Sequence, residues 1–339
     1  MLSNNAVLSN LGGNAQGGAL VNVAGATLTV NNCLFSQNQA LGNISGSQAN
    51  GGAILNSASR LTVSHSMFLG NQARGGDGGG NGSGGAILNN QSATATVSAS
   101  AFTGNLALGG DGGVVDGAIT AVGFSQGGAI FNDAGLTVMN STFTGNQATA
   151  GNGGNGGSGT SNVFVDFARG GGIRNGVGRS LLVSGSTFAD NQAIGGSNAT
   201  AGTNDVAGGG GALGGGLSNA GAVTITDSTF EHNQSRGGSG NSGGSGFPTG
   251  ITHGGGISNS SSAGLPATLT ARNLTIRDKL SIAGSGNTTR PLNPGIPVPG
   301  TAEGAGLTNV QGLATATLSD CTITDNQTLG GQGGVGGNG

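Results

Sequence analysis

One motif recurs eight times in this chain: a small-residue doublet, an aliphatic residue and an asparagine. A second motif follows each copy at a near-fixed distance. The clearest copies are Gly17-Gly18-Ala19-Leu20-Val21-Asn22, Gly51 to Asn56, Gly84 to Asn89 and Gly127 to Asn132. Looser ones run from Gly170 to Asn175, Gly214 to Asn219, Gly254 to Asn259 and Gly304 to Asn309. The second motif is Phe-x-x-Asn, at Phe35 and Asn38, Phe68 and Asn71, Phe102 and Asn105, Phe143 and Asn146, Phe188 and Asn191, and Phe230 and Asn233. A fixed period of this size is the mark of a repeat architecture, in which no single unit buries its apolar face alone.

Alignment on the phenylalanine resolves further columns. Five residues before it stand Val30, Val63, Val97, Val138, Val183, Ile225, Ala271 and Leu318. Ile276 and Ile323 replace Phe in the last two copies. A threonine precedes most of the valines, as at Thr29, Thr62, Thr96 and Thr137. Apolar and hydroxyl residues alternating with period two are the signature of a half-buried strand, and no helical period is sustained. From Gly51 to Ala73 lie 23 residues, enough for three short strands with tight corners. The expected fold is therefore all-β: a parallel β-helix of about eight rungs, stacked at roughly 4.8 Å.

In that fold the Val and Phe columns form the core: Val30, Val63, Val97, Val138, Val183, Ile225, Phe35, Phe68, Phe102, Phe143, Phe188 and Phe230. The asparagines form two structural ladders at strand ends. The first holds Asn22, Asn56, Asn89, Asn132, Asn175, Asn219, Asn259 and Asn309. The second holds Asn38, Asn71, Asn105, Asn146, Asn191, Asn233 and Asn326. An asparagine there tolerates a left-handed backbone and can bond the next rung through its amide. Lys279, the sole lysine, takes the ladder position in the seventh rung, where a distorted corner with an exposed ammonium is expected.

Paired Gly-Gly-Ala-Ile and Phe-x-x-Asn tetrapeptides resemble the repeat of the polymorphic outer membrane proteins, known from chlamydial surface autotransporters. The likeness covers essentially the whole chain. It implies a right-handed β-helix of the pectin-lyase-like kind, a passenger displayed at the cell surface and acting in adhesion. Members also carry a C-terminal membrane barrel, and no barrel or signal peptide is recognisable in these residues. The chain is accordingly read as one β-helical domain, residues 1–339, cut from a longer passenger, with rungs starting near 17, 51, 84, 127, 170, 214, 254 and 304.

Composition narrows the function. Charged residues are 7 % and the net charge is -3, which leaves no electrostatic footprint for nucleic acid. No apolar run is long enough to span a membrane as a helix. There are 77 glycines, but low-complexity disorder would not keep Val, Phe and Asn in register. Segments of variable length leave every rung at one corner and cluster along one edge. The first two, Leu41 to Asn50 and Arg74 to Ser83, are short; later ones are longer and Gly-rich. Such loops are flexible unless they pack on each other, with the Pro291 to Pro299 stretch stiffer. Loops held out by a rigid scaffold are where recognition commonly resides. The chain opens on Leu2-Ser3-Asn4-Asn5, the last strand of a rung, and closes in the loop Gly330 to Gly339. Uncapped ends imply further rungs or end-to-end stacking of copies.

Three readings of function are open. The first is a non-catalytic cell-surface or secreted scaffold or adhesin, with a protein or glycan surface partner or other copies of itself. The second is a carbohydrate-active enzyme, a polysaccharide lyase or hydrolase. Its weak candidates are Asp278 and Asp325, which share a column with Asp190; Asp227 and Asp320 share another. Two carboxyls some 5 to 10 Å apart are what glycoside hydrolysis requires, yet Gln37, Gly70, Gly104, Gly145 and His232 in the same column have the composition of a turn. The third is an ice-binding face of Thr-x-Thr pairs such as Thr94 and Thr96, interrupted by Arg60, Gly135 and Leu182. No cofactor or metal is indicated: three scattered histidines lack ligand spacing, and the Gly-Asp loops lack a calcium-repeat order. Cys33 and Cys321 lie seven rungs, about 34 Å, apart, beyond disulfide reach, and are expected to be small buried side chains.

Overall fold

A computed structural model describes residues 1–8, 13–43, 45–115, 121–158, 163–203, 207–244, 249–289 and 300–333. The loop 291–299 and most of the closing segment after Gly330 lie outside them. The described residues form an all-β structure without a helix, and every strand pairing is parallel. Each strand pairs with its equivalent one copy earlier and one copy later, the arrangement of a solenoid.

The second copy illustrates the unit. Its strands are Ile54–Ser57, Arg60–Ser64, Met67–Leu69 and Gln72–Arg74, and the strand Gly82–Ser83 leads into the next doublet. Four strands thus occupy the span where three were expected. The reason is a single residue, His65, at φ 48°, which splits one strand in two. Equivalent residues Asn32, Ala99, Asn140, Asp227, Asn273 and Asp320 are also left-handed. The left-handed residue recurs at the same position in each copy, so the strand bends there without losing register and its two halves stay in one sheet. In two later copies the halves are continuous, as Ala222–Glu231 and Ala267–Arg277, and in the last they are separate again, as Ala314–Ser319 and Thr322–Thr324.

The pairing register reproduces the sequence columns. Thr62 and Val63 pair with Thr29 and Val30 on one side and with Thr96 and Val97 on the other, and Phe68 pairs with Phe35 and Phe102. Six phenylalanines from Phe35 to Phe230 stack with ring centroids 4.4 to 4.8 Å apart and planes within 6°. All six are fully buried, as are Val63, Val97, Val138, Val183 and Ile225; Val30 is 3 % exposed. Strand spacing dictates this near-parallel sandwich, which rings left to themselves avoid in favour of offset or edge contacts. Truncation of Phe143 to Ala should cost about 3–5 kcal/mol, because flanking rings held by their own strands cannot collapse into the void. Chemical denaturation should show the loss; a cost under about 1 kcal/mol would contradict rigid stacking.

Both asparagine columns form amide ladders, the first unbroken from Asn22 to Asn309 and the second from Asn5 to Asn233. Asn22, Asn56, Asn89, Asn132, Asn175, Asn219 and Asn259 each donate from Nδ2 to Oδ1 of the next, ending on Asn309, at 2.7 to 2.9 Å. The second ladder runs from Asn5 through Asn38 to Asn233 in the same manner. There the backbone N–H also donates to the next Oδ1, and Nδ2 reaches a phenylalanine carbonyl, as from Asn146 to Phe102. A serine column adds a third ladder: the N–H of Ser66 donates to Ser100 Oγ, that of Ser100 to Ser141 Oγ. Cys33 and Cys321 stand in this column, half-buried and unbridged, more open than expected.

The second ladder breaks at Lys279, which is 1 % exposed rather than solvated. Its backbone N–H still donates to Asn326 Oδ1, and its ammonium donates to the Arg277 carbonyl. The side chain turns inward because its position points at the core in every other copy.

Glycine is required at the doublet. Gly51 has φ 68°, and a Cβ on Gly52 would lie 2.0 Å from the Gly85 carbonyl oxygen. The strand Gln72–Arg74 crosses directly against it, and the interface between these two sheets holds only small side chains: Ala40, Ala49 and Ala73 are fully buried.

The central loops pack on each other. Ala121–Val122, Val163–Val165 and Ala207–Gly209 form an additional parallel sheet. Its own apolar cluster includes Val115, Val122, Val163, Val165, Ala201 and Ala207. The condition on which these Gly-rich loops lose their flexibility, packing on each other, is met here through a few valines that form no local pattern in the sequence. Asp166, fully buried in this region, accepts a 2.7 Å hydrogen bond from the Gly154 N–H, and its Oδ1 has no partner. Burial pushes its carboxyl up to about 8, with the nearby Asp111 adding to it and the Gly154 bond opposing. The folded state therefore holds this proton more tightly than the unfolded chain, and stability falls as pH rises from about 4 to about 8. Asp166→Asn should flatten that slope in pH-dependent unfolding; an unchanged slope would contradict a buried neutral acid.

Candidate functional site

Two strands flank the fifth doublet, Ala168–Arg169 and Ile173–Asn175. Alternation sends Ala168, Ile173 and Asn175 inward, and Arg169 and Arg174 outward. Down the first outward column, pairing aligns Gln126, Arg169, Leu213, His253 and Glu303. Down the second it aligns Phe131, Arg174, Ser218 and Ser258. Earlier copies carry Leu55 and Leu88 in that second column. The change from leucine to serine leaves room for Arg174 to reach across and donate from Nη1 to Ser218 Oγ at 2.9 Å.

A cavity of about 390 Å³ opens over these columns. Arg169, Arg174, His253 and Glu303 supply its charged and titratable lining. Phe164, Phe167, Leu213, Ala220, Ile251 and Val310 supply its apolar walls. Ser260, Ser261 and Ser262, from the turn after Ile257–Ser260, add hydroxyl-bearing residues to the rim. The loops thus build the aromatic wall and the stacked strands build the cationic floor.

Arg174 is 4 % exposed. Arg169 keeps part of its surface open, and its guanidinium lies 4.9 Å from the Phe124 ring centroid, a cation–π contact. Burial pulls both guanidiniums down, to about 10 for Arg169 and about 9 for Arg174, and at Arg174 the charge of Arg169 lowers it further while Asp133 raises it. Both stay cationic at neutral pH. Neither has an ion pair within salt-bridge distance among the described residues, since Asp133 is bonded to Arg179 at 2.9 Å. The buried Nε of each has no hydrogen-bond partner. His253 Nε2 lies 3.6 Å from Glu303 Oε2, and burial holds the imidazole below its ordinary value against the pull of that carboxylate.

The sequence reading did not single out Arg169 or Arg174. One signal was present: in a chain with ten cations, two flank a single doublet, in columns where no other copy carries an arginine or lysine. Asp278 and Asp325 lie elsewhere, in a column of turn residues. Asp190, Asp278 and Asp325 have φ of 54 to 57°, and Gln37, Gly70, Gly104, Gly145 and His232 are left-handed too. The column thus selects for residues that tolerate that conformation. Asp278 approaches the surface groups Arg277 and His232 at 3.4 and 3.7 Å. No group of three or more His, Cys, Asp or Glu residues suited to a metal occurs among the described residues. The threonine array lies in register, with Leu182 between Thr137 and Thr224, and with Arg60 and Gly135 in the neighbouring column of Thr27, Thr94 and Thr268.

Comparison with family models, curated proteins and solved structures finds no match to this chain.

Proposed function

We propose that the chain is a right-handed parallel β-helix of about eight rungs, serving as a non-catalytic cell-surface or secreted scaffold. In this reading its binding surface is the flank where the central loops meet the outward face of the strands. The observation that carries it is the second apolar cluster of those loops, with Val122, Val163 and Val165 buried in it. Ordering glycine-rich loops costs conformational entropy, and here that ordering walls a pocket rather than completing the main core. The wholly parallel stacking and the repeat resemblance to surface passengers support the rest, including adhesion as the role.

Beads coated with the full chain should adhere to cultured cells. Val165→Asp, which puts a carboxylate into the loop cluster and leaves the phenylalanine stack intact, should weaken adhesion while the β-sheet circular dichroism persists. Absence of adhesion by the unmodified chain would overturn the proposal. So would turnover of acidic polysaccharides that disappears in Asp278→Asn.

A further inference from the structure

Resting on that reading of the flank as a binding surface, we infer that the cavity over Arg169 and Arg174 is a site for a small carboxylate with an apolar body, such as an aryl-alkanoic acid. Charge makes the first part of the case. The lining carries two guanidiniums and one carboxylate, and burial keeps His253 in its neutral form. The floor therefore holds one uncompensated positive charge. Buried charges are ordinarily paired, because an isolated one is costly to desolvate. A monoanion seated between the guanidiniums restores that pairing. A planar carboxylate matches the guanidinium fork, accepting two parallel hydrogen bonds from it.

The walls make the second part. Phe164, Phe167, Leu213, Ile251 and Val310 give the cavity a mainly apolar lining. At about 390 Å³ it falls in the size range of small-molecule sites, which combine apolar walls with a few convergent polar groups. A polyhydroxylated acid would meet Glu303, His253, Thr301, Gln311 and the rim serines, but would have to desolvate its remaining hydroxyls against Phe164, Phe167, Leu213, Ile251 and Val310. A ring or short alkyl chain would bury its surface against the phenylalanines.

Calorimetry and ligand-observed NMR on the full chain test the inference, with 3-phenylpropanoate as the probe. Its amide, acetate and glucuronate serve as controls for charge, body and hydroxyls. The expected result is one saturable site for 3-phenylpropanoate, with each control at least about tenfold weaker, the factor one charge-assisted hydrogen bond supplies. Arg174→Met should lose binding by a similar factor or more. Leu213→Trp fills the cavity from an outward position without touching the core, and should abolish binding with the melting temperature unchanged. Equal affinity for acid and amide, no binding of either, or preference for glucuronate would overturn the inference. Adhesion retained without carboxylate binding sinks this inference alone. Turnover of polysaccharide sinks the scaffold reading, and 3-phenylpropanoate binding on the same sample judges the cavity separately.

Discussion

Asn146→Leu should destabilise the protein by about 3–6 kcal/mol, although leucine is close in size to asparagine. Asn146 Oδ1 accepts from both the backbone and the side chain of Asn105, and its Nδ2 donates to Phe102 and to Asn191. Removal of the amide leaves the Asn105 N–H and the Phe102 carbonyl without these partners in a region where the asparagines are fully buried. Each orphaned buried group costs about 1–3 kcal/mol, and no water can reach them without opening the stack. Asn309, at the exposed edge of the other ladder, should tolerate the same change at about 1 kcal/mol or less, since solvent can take over its bonds. Urea denaturation of the two variants provides the comparison. Equal losses would mean that burial of the ladder contributes little.

Lys279→Asn should raise stability by about 2–4 kcal/mol, an unusual direction for a buried substitution. The change extends the second ladder to Asn326 and removes an ammonium from the interior. Burial pushes the Lys279 ammonium down to about 7, against attraction from Glu231 and Asp278. The unfolded chain therefore binds this proton more tightly than the folded one. The penalty is complete below about pH 7 and fades as pH rises toward about 10.5, so stability climbs across that window. In Lys279→Asn the climb should vanish. A variant no more stable than the parent, or an unchanged pH slope, would show that the lysine is well accommodated.

Lys279 also shows where sequence reasoning stops. Its column identified an interrupted ladder, and a lone lysine suggested a solvated corner. Whether a side chain in a broken position turns out or in depends on the space around it, and here Gly256, in the first motif of the same copy, leaves room: a Cβ on it would lie 3.2 Å from the lysine Cε. The three-strand unit failed for a related reason. His65, Ala99 and Asn140 share no residue type, and only the backbone reveals their common left-handed turn. The arginine cavity was hidden for a third reason, since its walls come from loops far apart in sequence.

Repetition is what the amino-acid order determined by itself. Parallel pairing in register, the phenylalanine stack and both amide ladders follow from the columns, because each copy must bury its apolar face on the next. Tertiary structure decided everything that depends on non-equivalent neighbours: the inward lysine, the loop cluster and the two guanidiniums that meet over one cavity. Those arise where a column departs from its own pattern, and the consequence of a departure is set by the segments that pack over it.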